Sequence, residues 1–395
     1  MFARFQSIRN PLPRIFALLS LAWLAACDVV PLASGADVGQ AINPAAPIEV
    51  ALLVPGGSAV GTDNLLAQNF ENAARLAMAD LQGAEVDLRV YNTNGGNPQQ
   101  AAIAATQAVN DGAKIIIGPL YGEAAAAAGV AVAGRDVNVL TFSNNPAIAG
   151  GNVFLLGSTF NNTADRLVQY AGSRGISRFM VAHGNDLAGQ VGRDAITAAV
   201  LANGAEVVGV SGYPLSQQGI FGSTRQIVST ARNSGAQAVF TTAGASADLP
   251  ILATSLSDNG LDLTAVPLIG LTRWDTVPQL LDLPGLEGGL FALPDQATAN
   301  LFENRYANAF GGQPHPLAGL AYDGIAAIGA LAAAGNQNAL TTDGLTQRQG
   351  FSGTSGVFRF LPNGQNQRGL AVATVRDNQV VIVDPAPRSF GLAGF

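Results

Sequence analysis

From Ile48 onward the chain alternates short apolar runs with amphipathic stretches, and that rhythm restricts it to a parallel sheet with crossover helices. The first unit shows why. Residues 48–54 (IEVALLV) read as a strand, Pro55-Gly56-Gly57-Ser58 as a turn, and residues 64–81 as a helix with Leu66, Phe70, Ala73, Ala77 and Leu81 on one side. A parallel neighbour cannot be reached through a tight turn, so each helix must carry the chain back across the sheet. Strands at 86–91, 115–117 and 139–142, with helices at 98–110 and 124–134, complete one doubly wound lobe. The same grammar then returns without a disordered linker. Strands at 178–183, 206–210, 238–242 and 266–269 interleave with helices at 189–202, 224–233 and 249–259. The expected architecture is α/β and bilobal, with a ligand or partner site between the lobes near the carboxyl ends of the strands. The tail departs from the pattern, with helices at 300–310 and 317–333 and paired strands around Phe358 and at 370–383.

Ahead of Ile48 the sequence has a different character. Arg4, Arg9 and Arg14 accompany an apolar run at 15–23 that is too short for a stable span, and Leu24-Ala25-Ala26-Cys27 follows. Cys27 is the only cysteine in 395 residues, and its place at the exit of a leader points to lipidation rather than to a core thiol. Residues 1–26 therefore read as a lipoprotein signal peptide, Cys27 as the lipid-bearing anchor, and 27–47 as a flexible tether. The expected location is the periplasmic side of a bacterial membrane. One cysteine allows neither an internal disulfide nor a thiolate cluster, so stability must come from cores that a 48% apolar chain can fill. A net charge of −7 and a single lysine, Lys114, argue against nucleic acid as a partner.

Catalysis is not expected. The two histidines, His183 at a strand end and His315 between two prolines, stand apart, and no nucleophile elbow, Walker loop or zinc-protease helix occurs. No metal or cofactor is implied. The loop holding Gly57 and Ser58 follows a strand and precedes a helix, so it reads as a cleft loop of the first lobe.

Several segments in order carry a family resemblance: Val50-Ala51-Leu52-Leu53-Val54-Pro55, Ile117-Gly118-Pro119-Leu120, Thr141-Phe142-Ser143-Asn144 and Ala321-Tyr322-Asp323-Gly324. The stretch 350–360 (GFSGTSGVFRF), closed by Asn363-Gly364, is the most telling. Together, over nearly all of the chain after the tether, they resemble type I periplasmic binding proteins of the leucine and branched-chain amino acid receptor branch. The resemblance implies a type I periplasmic-binding fold with hinge crossovers, 48–157 with 295–345 forming lobe 1 and 158–294 with 346–390 forming lobe 2. It also implies where an amino acid would be held. Such receptors place serine or threonine after the Gly-Pro-Leu turn, a Tyr-Gly pair after the first strand of lobe 2, an aromatic after its third and an acid after its fourth. Here stand Tyr121-Gly122-Glu123-Ala124, Ala188-Gly189, Gly244-Ala245-Ser246 and Leu271-Thr272-Arg273-Trp274. The amino acid shell is largely missing.

A second branch of the fold lacks that shell too: lipoproteins similar to the carboxyl-terminal domain of the outer-membrane activator of a penicillin-binding protein. This resemblance implies a non-enzymatic regulator of peptidoglycan synthesis with a penicillin-binding protein as partner. The alternative is the receptor of an ABC importer, partnered by an ABC permease and binding an amino acid or related small polar molecule. For either, the cleft candidates are Gly57, Ser58, Tyr121, Gly122, Ser143, Asn144, Asn145, His183, Asp186, Ser246, Arg273, Trp274 and Tyr322. Trp274 ranks high because it sits beside Arg273 in a loop, whereas Tyr322-Asp323 reads first as a packing tyrosine and a helix cap.

Overall fold

The central strand of the first lobe, β1 (Ile48–Val54), shows how its sheet is filled from both sides. Val50, Leu52 and Val54 enter one core with Phe70 and Phe142, while Ala51 and Leu53 enter another with Ala105 and Ile116. The computed structural model describes residues 37–391, so Cys27 and the leader lie outside the described residues. β1 is flanked by β2 (Val86–Asn92), β3 (Ile115–Ile117), β4 (Asn138–Thr141) and β5 (Val153–Leu155) in the order β2-β1-β3-β4-β5, all parallel. Helices α1 (Gly61–Asp80), α2 (Pro98–Asn110) and α3 (Gly122–Val132) supply the crossovers. Phe70 on α1 stacks on Phe142 with ring centroids 4.2 Å apart, which locks the helix to the loop after β4.

The chain leaves this sheet after β5 and enters α4 (Phe160–Ser173), held by a Thr159–Asn162 capping box. The second sheet takes β6 (Arg178–Gly184), β7 (Glu206–Tyr213), β8 (Ala238–Thr241), β9 (Leu268–Gly270) and β10 (Leu290–Leu293). Between them run α5 (Leu187–Ala202), α6 (Gln217–Ser234) and α7 (Leu249–Asp258). After β10 the chain returns to the first core, where α8 (Gln296–Phe310) and α9 (Gly319–Ala333) place Phe302, Tyr306, Ile325 and Ile328. A short antiparallel sheet, β11 (Phe351–Gly353), β12 (Gly356–Phe360) and β13 (Asn366–Arg368), adds Phe351, Phe358 and Phe360 to that same core. The hairpin β14 (Ala371–Arg376) and β15 (Gln379–Asp384) then extends the second sheet antiparallel to β10. Three crossings thus join the two sheets, at 156–159, 294–295 and 369–370.

Two local expectations differ from the structure. Of the stretch read as a tether, the described part, 37–47, is docked around Ile42, which is buried in the first core and donates its N–H to the Gln337 carbonyl (2.9 Å). Val38 accepts from Asn138 Nδ2 (2.8 Å) and from the Thr342 amide (2.8 Å). Helix α6 begins seven residues before the expected 224, because the Ser216 side chain accepts from the Gly219 amide (3.1 Å) and starts the helix there.

Candidate ligand cleft

A cavity of about 690 Å³ lies between the lobes, walled by both and by the crossings. The loop that leads to its first-lobe wall starts at Gly118, where φ is +86° and a Cβ would stand 2.1 Å from the Leu53 carbonyl oxygen, so only glycine lets β3 turn this close to β1. Pro119 follows, and its carbonyl accepts from the Phe142 amide (3.0 Å) and from Thr141 Oγ1 (2.6 Å). Those two bonds set the loop after β3 beside the loop after β4, which brings Tyr121 and Gly122 alongside Ser143, Asn144 and Asn145. Ser143 Oγ accepts from the Asn145 amide (3.2 Å), and Asn145 Oδ1 from the Ala147 amide (3.0 Å), which orients both side chains. The Tyr121 hydroxyl donates to Asp63 Oδ1 (2.6 Å), and that bond, aided by burial, raises its pKa above the usual phenol value.

The second-lobe wall contributes Thr163, Arg273 and Ala292. Arg273 pairs with Asp275 through Nε (3.1 Å) and Nη2 (2.5 Å), leaving Nη1 without a partner among the described residues. Leu120, Phe142, Leu317, Leu320 and Leu370 make the rest of the cavity apolar.

The other sequence candidates stand elsewhere. Trp274 is fully buried, stacked on Phe291 at 5.1 Å, because Gly270 and Gly289 leave room for its indole inside the second core. The exposed aromatic expected beside Arg273 is therefore a core residue. His183 is buried, its Nδ1 2.8 Å from the Gly184 carbonyl, and lines neither large cavity. Tyr322 donates to Asp80 (2.6 Å) on the α1 side of the first core; burial first and this bond second push its hydroxyl up to about 12. Ser246 is exposed outside both cavities. Gly57 and Ser58 are held by Asn64, which accepts from the Gly57 amide (2.9 Å) and donates to the Ser58 carbonyl (2.8 Å), and they do not reach the wall. Asp186 caps α5 through the Gly189 amide (3.1 Å) and lines a separate second-lobe cavity.

Asp323 is no cap. It lies inside α9, fully buried, and organises all three crossings. Its Oδ1 accepts from the Thr354 amide (2.7 Å) and hydroxyl (3.1 Å); its Oδ2 pairs with Arg368 Nη1 and Nη2 (3.2 Å each). Arg368 in turn donates to the Leu156 carbonyl at the first crossing, through Nε (3.2 Å) and Nη2. Ser355, next to Thr354, accepts from the Asp295 amide at the second crossing (3.0 Å), and Arg368 itself precedes the third. Sequence reasoning missed Arg368 and Ser355, both of which line the cavity.

Close by, Asp165 shares a small polar cavity with Asn162, Arg166 and Asn366, and has no hydrogen-bond or ionic partner among the described residues. Burial pushes its carboxyl above the usual range. A carboxyl whose pKa is higher folded than unfolded binds more protons in the native state, so stability falls as pH rises through that window. Asp165→Asn is expected to melt above the wild type at pH 7 and together with it near pH 3, where both side chains are neutral; scanning calorimetry at the two pH values checks this.

One parallel and one mostly parallel sheet, three crossings and an interlobe cavity with free donors among the described residues define a bilobal ligand-binding protein. The family model described as periplasmic binding protein matches residues 47–379, and the chain belongs to that family. Its fold is the type I periplasmic-binding fold, and the family places it in the periplasm. Similar solved structures share that fold. A protein from Rhodospirillum rubrum described as a branched-chain amino acid ABC transporter is 18% identical, covers 86% of this chain and 100% of its own, and has a TM-score of 0.70. An ABC transporter substrate-binding protein from Desulfitobacterium hafniense in complex with Leu is 18% identical (86% and 100% covered, TM-score 0.59). A solute-binding protein from R. palustris in complex with 4-hydroxybenzoate is 17% identical (87% and 97% covered, TM-score 0.55). Among curated proteins, an uncharacterized protein of Rickettsia prowazekii is 26% identical over 125 residues, and the match spans 32% of that relative's length.

Proposed function

We propose that this protein is the solute-binding receptor of an ABC importer and that its cleft takes a small carboxylate with an apolar body. The supporting observation is the chemistry of the wall. Arg273, Ser143, Ser158 and Thr163 line the cavity among leucines, prolines and Phe142, and Arg273 Nη1 and the three hydroxyls donate to no partner among the described residues. A buried carboxylate needs such donors, because leaving its charge unpaired is costly. The similar proteins crystallised with Leu and with 4-hydroxybenzoate carry carboxylate ligands, which supports the class. Their transporter descriptions favour the receptor reading over the regulator of peptidoglycan synthesis that the sequence had put first.

The test is thermal melting and calorimetry of the protein against leucine, 4-hydroxybenzoate and their amides. Carboxylates should raise the melting temperature saturably, following RT ln(1 + [L]/Kd), and the amides should not. Arg273→Ala should weaken carboxylate binding by about ten- to a hundredfold, the worth of a hydrogen bond to a charged group. A flat response to every carboxylate would count against the reading and favour a pull-down with a penicillin-binding protein.

A further inference from the structure

The second-lobe cavity, about 450 Å³, lies at the carboxyl ends of β6 and β8, where the strand order of that sheet reverses. Its walls are apolar through Phe160, Leu215, Ile220 and Ile251, and the charged side chains among them are Asp186 and Asp248, with no lysine, arginine or histidine. Asp248 is fixed in place, accepting from the Gly244 amide (2.7 Å) and the Tyr213 hydroxyl (2.6 Å). Asp186 spends Oδ1 on its cap, and Oδ2 has no partner among the described residues. The larger cavity is lined by Glu123, Arg273 and Arg368; Arg368 is neutralised by Asp323, and Arg273 keeps Nη1 free of partners among the described residues beside its pairing with Asp275.

The two cavities flank the same two segments. Phe160 and Thr163 lie one turn apart on α4, the first lining the second-lobe cavity and the second the larger one; Thr272 and Arg273 divide in the same way. A free α-amino acid carries both charges on one carbon and cannot place them in separate cavities. We propose that the ligand is an elongated amphoteric molecule of short-peptide class, with its carboxylate in the larger cavity by Arg273 and its ammonium in the second-lobe cavity by Asp186. This rests on the receptor reading above. It also accounts for the size of the site, since the larger cavity alone already falls within the roughly 300–1,000 Å³ that drug-sized ligands occupy.

The experiment is titration calorimetry of the full chain with leucine, Leu-Leu-Leu, N-acetyl-Leu-Leu-Leu and Leu-Leu-Leu-amide, each against wild type and Asp186→Asn. Asparagine caps a helix as well as aspartate does, so this variant keeps α5 in place. The free tripeptide should bind more tightly than leucine. N-acetylation and Asp186→Asn should each weaken it by about tenfold or more, and Asp186→Asn should cost nothing further once the peptide is acetylated, as a shared contact requires. If leucine binds as tightly as the tripeptide, or if acetylation and Asp186→Asn leave tripeptide affinity unchanged, the elongated ligand is ruled out and the receptor reading stands. If no member of the series binds, the elongated ligand is ruled out, and the receptor reading falls with it only if 4-hydroxybenzoate also fails to raise the melting temperature.

Discussion

Replacing Asp323 by alanine should destabilise the protein by about 3–5 kcal/mol, the cost of leaving one member of a buried ion pair without its partner. Asp323 is fully buried and Arg368 nearly so, and the aspartate also satisfies the Thr354 amide and hydroxyl. Water cannot replace those bonds without opening the first core. Urea unfolding of the variant measures the loss as a drop in midpoint at constant m-value. The double variant Asp323→Ala/Arg368→Met should recover part of it, because removing both charges is cheaper than stranding one. Asp323→Asn separates stability from geometry: it keeps the volume and an acceptor for Thr354 but not the charge for Arg368. If the pair holds the crossings in register, the Asn variant should also change the interlobe distance seen by small-angle scattering. A loss below about 1 kcal/mol for Asp323→Ala would mean that solvent reaches the pair.

Much of this architecture was legible because parallel sheets write themselves plainly. β1 and β3 are buried on both faces, and their runs IEVALLV and III have no other sensible placement. Elements were missed where the local signal is weak. β5 (VFL) and β10 (LFAL) are too short to separate from loop, and α4 opens with Phe-Asn-Asn-Thr, which favours a cap over a helix interior until the Thr159 box is seen. The cleft was half legible. Tyr121, Gly122, Ser143, Asn144, Asn145 and Arg273 all line the cavity because they follow strands whose ends fall within one residue of the expected positions. Arg368 and Ser355 were not found, since they come from the short sheet β11–β13, whose return to the first core depends on contacts more than 200 residues away in sequence, such as Asn366 Nδ2 to the Leu155 carbonyl.

Trp274 is the clearest case of pattern and packing disagreeing, and it carries a second large expected effect. Trp274→Ala should cost about 3–5 kcal/mol, the usual loss for emptying a large aromatic site in a core. The surroundings cannot collapse easily, because the indole lies against Phe291 of β10 and the backbones of Gly270 and Gly289. Trp274→Phe should cost less than half as much. The buried Nε1–H has no acceptor among the described residues, and an unsatisfied buried donor costs about 1–3 kcal/mol, so removing it offsets part of the cavity that phenylalanine leaves. Ligand affinity discriminates the two roles for this residue. As a core side chain, Trp274 supports the loop that presents Arg273, so Trp274→Ala should lower both stability and carboxylate affinity while Trp274→Phe leaves affinity near wild type. A ligand-stacking tryptophan would behave in the opposite way, with Trp274→Phe losing affinity at unchanged stability, and urea unfolding paired with calorimetry on the two variants decides between them.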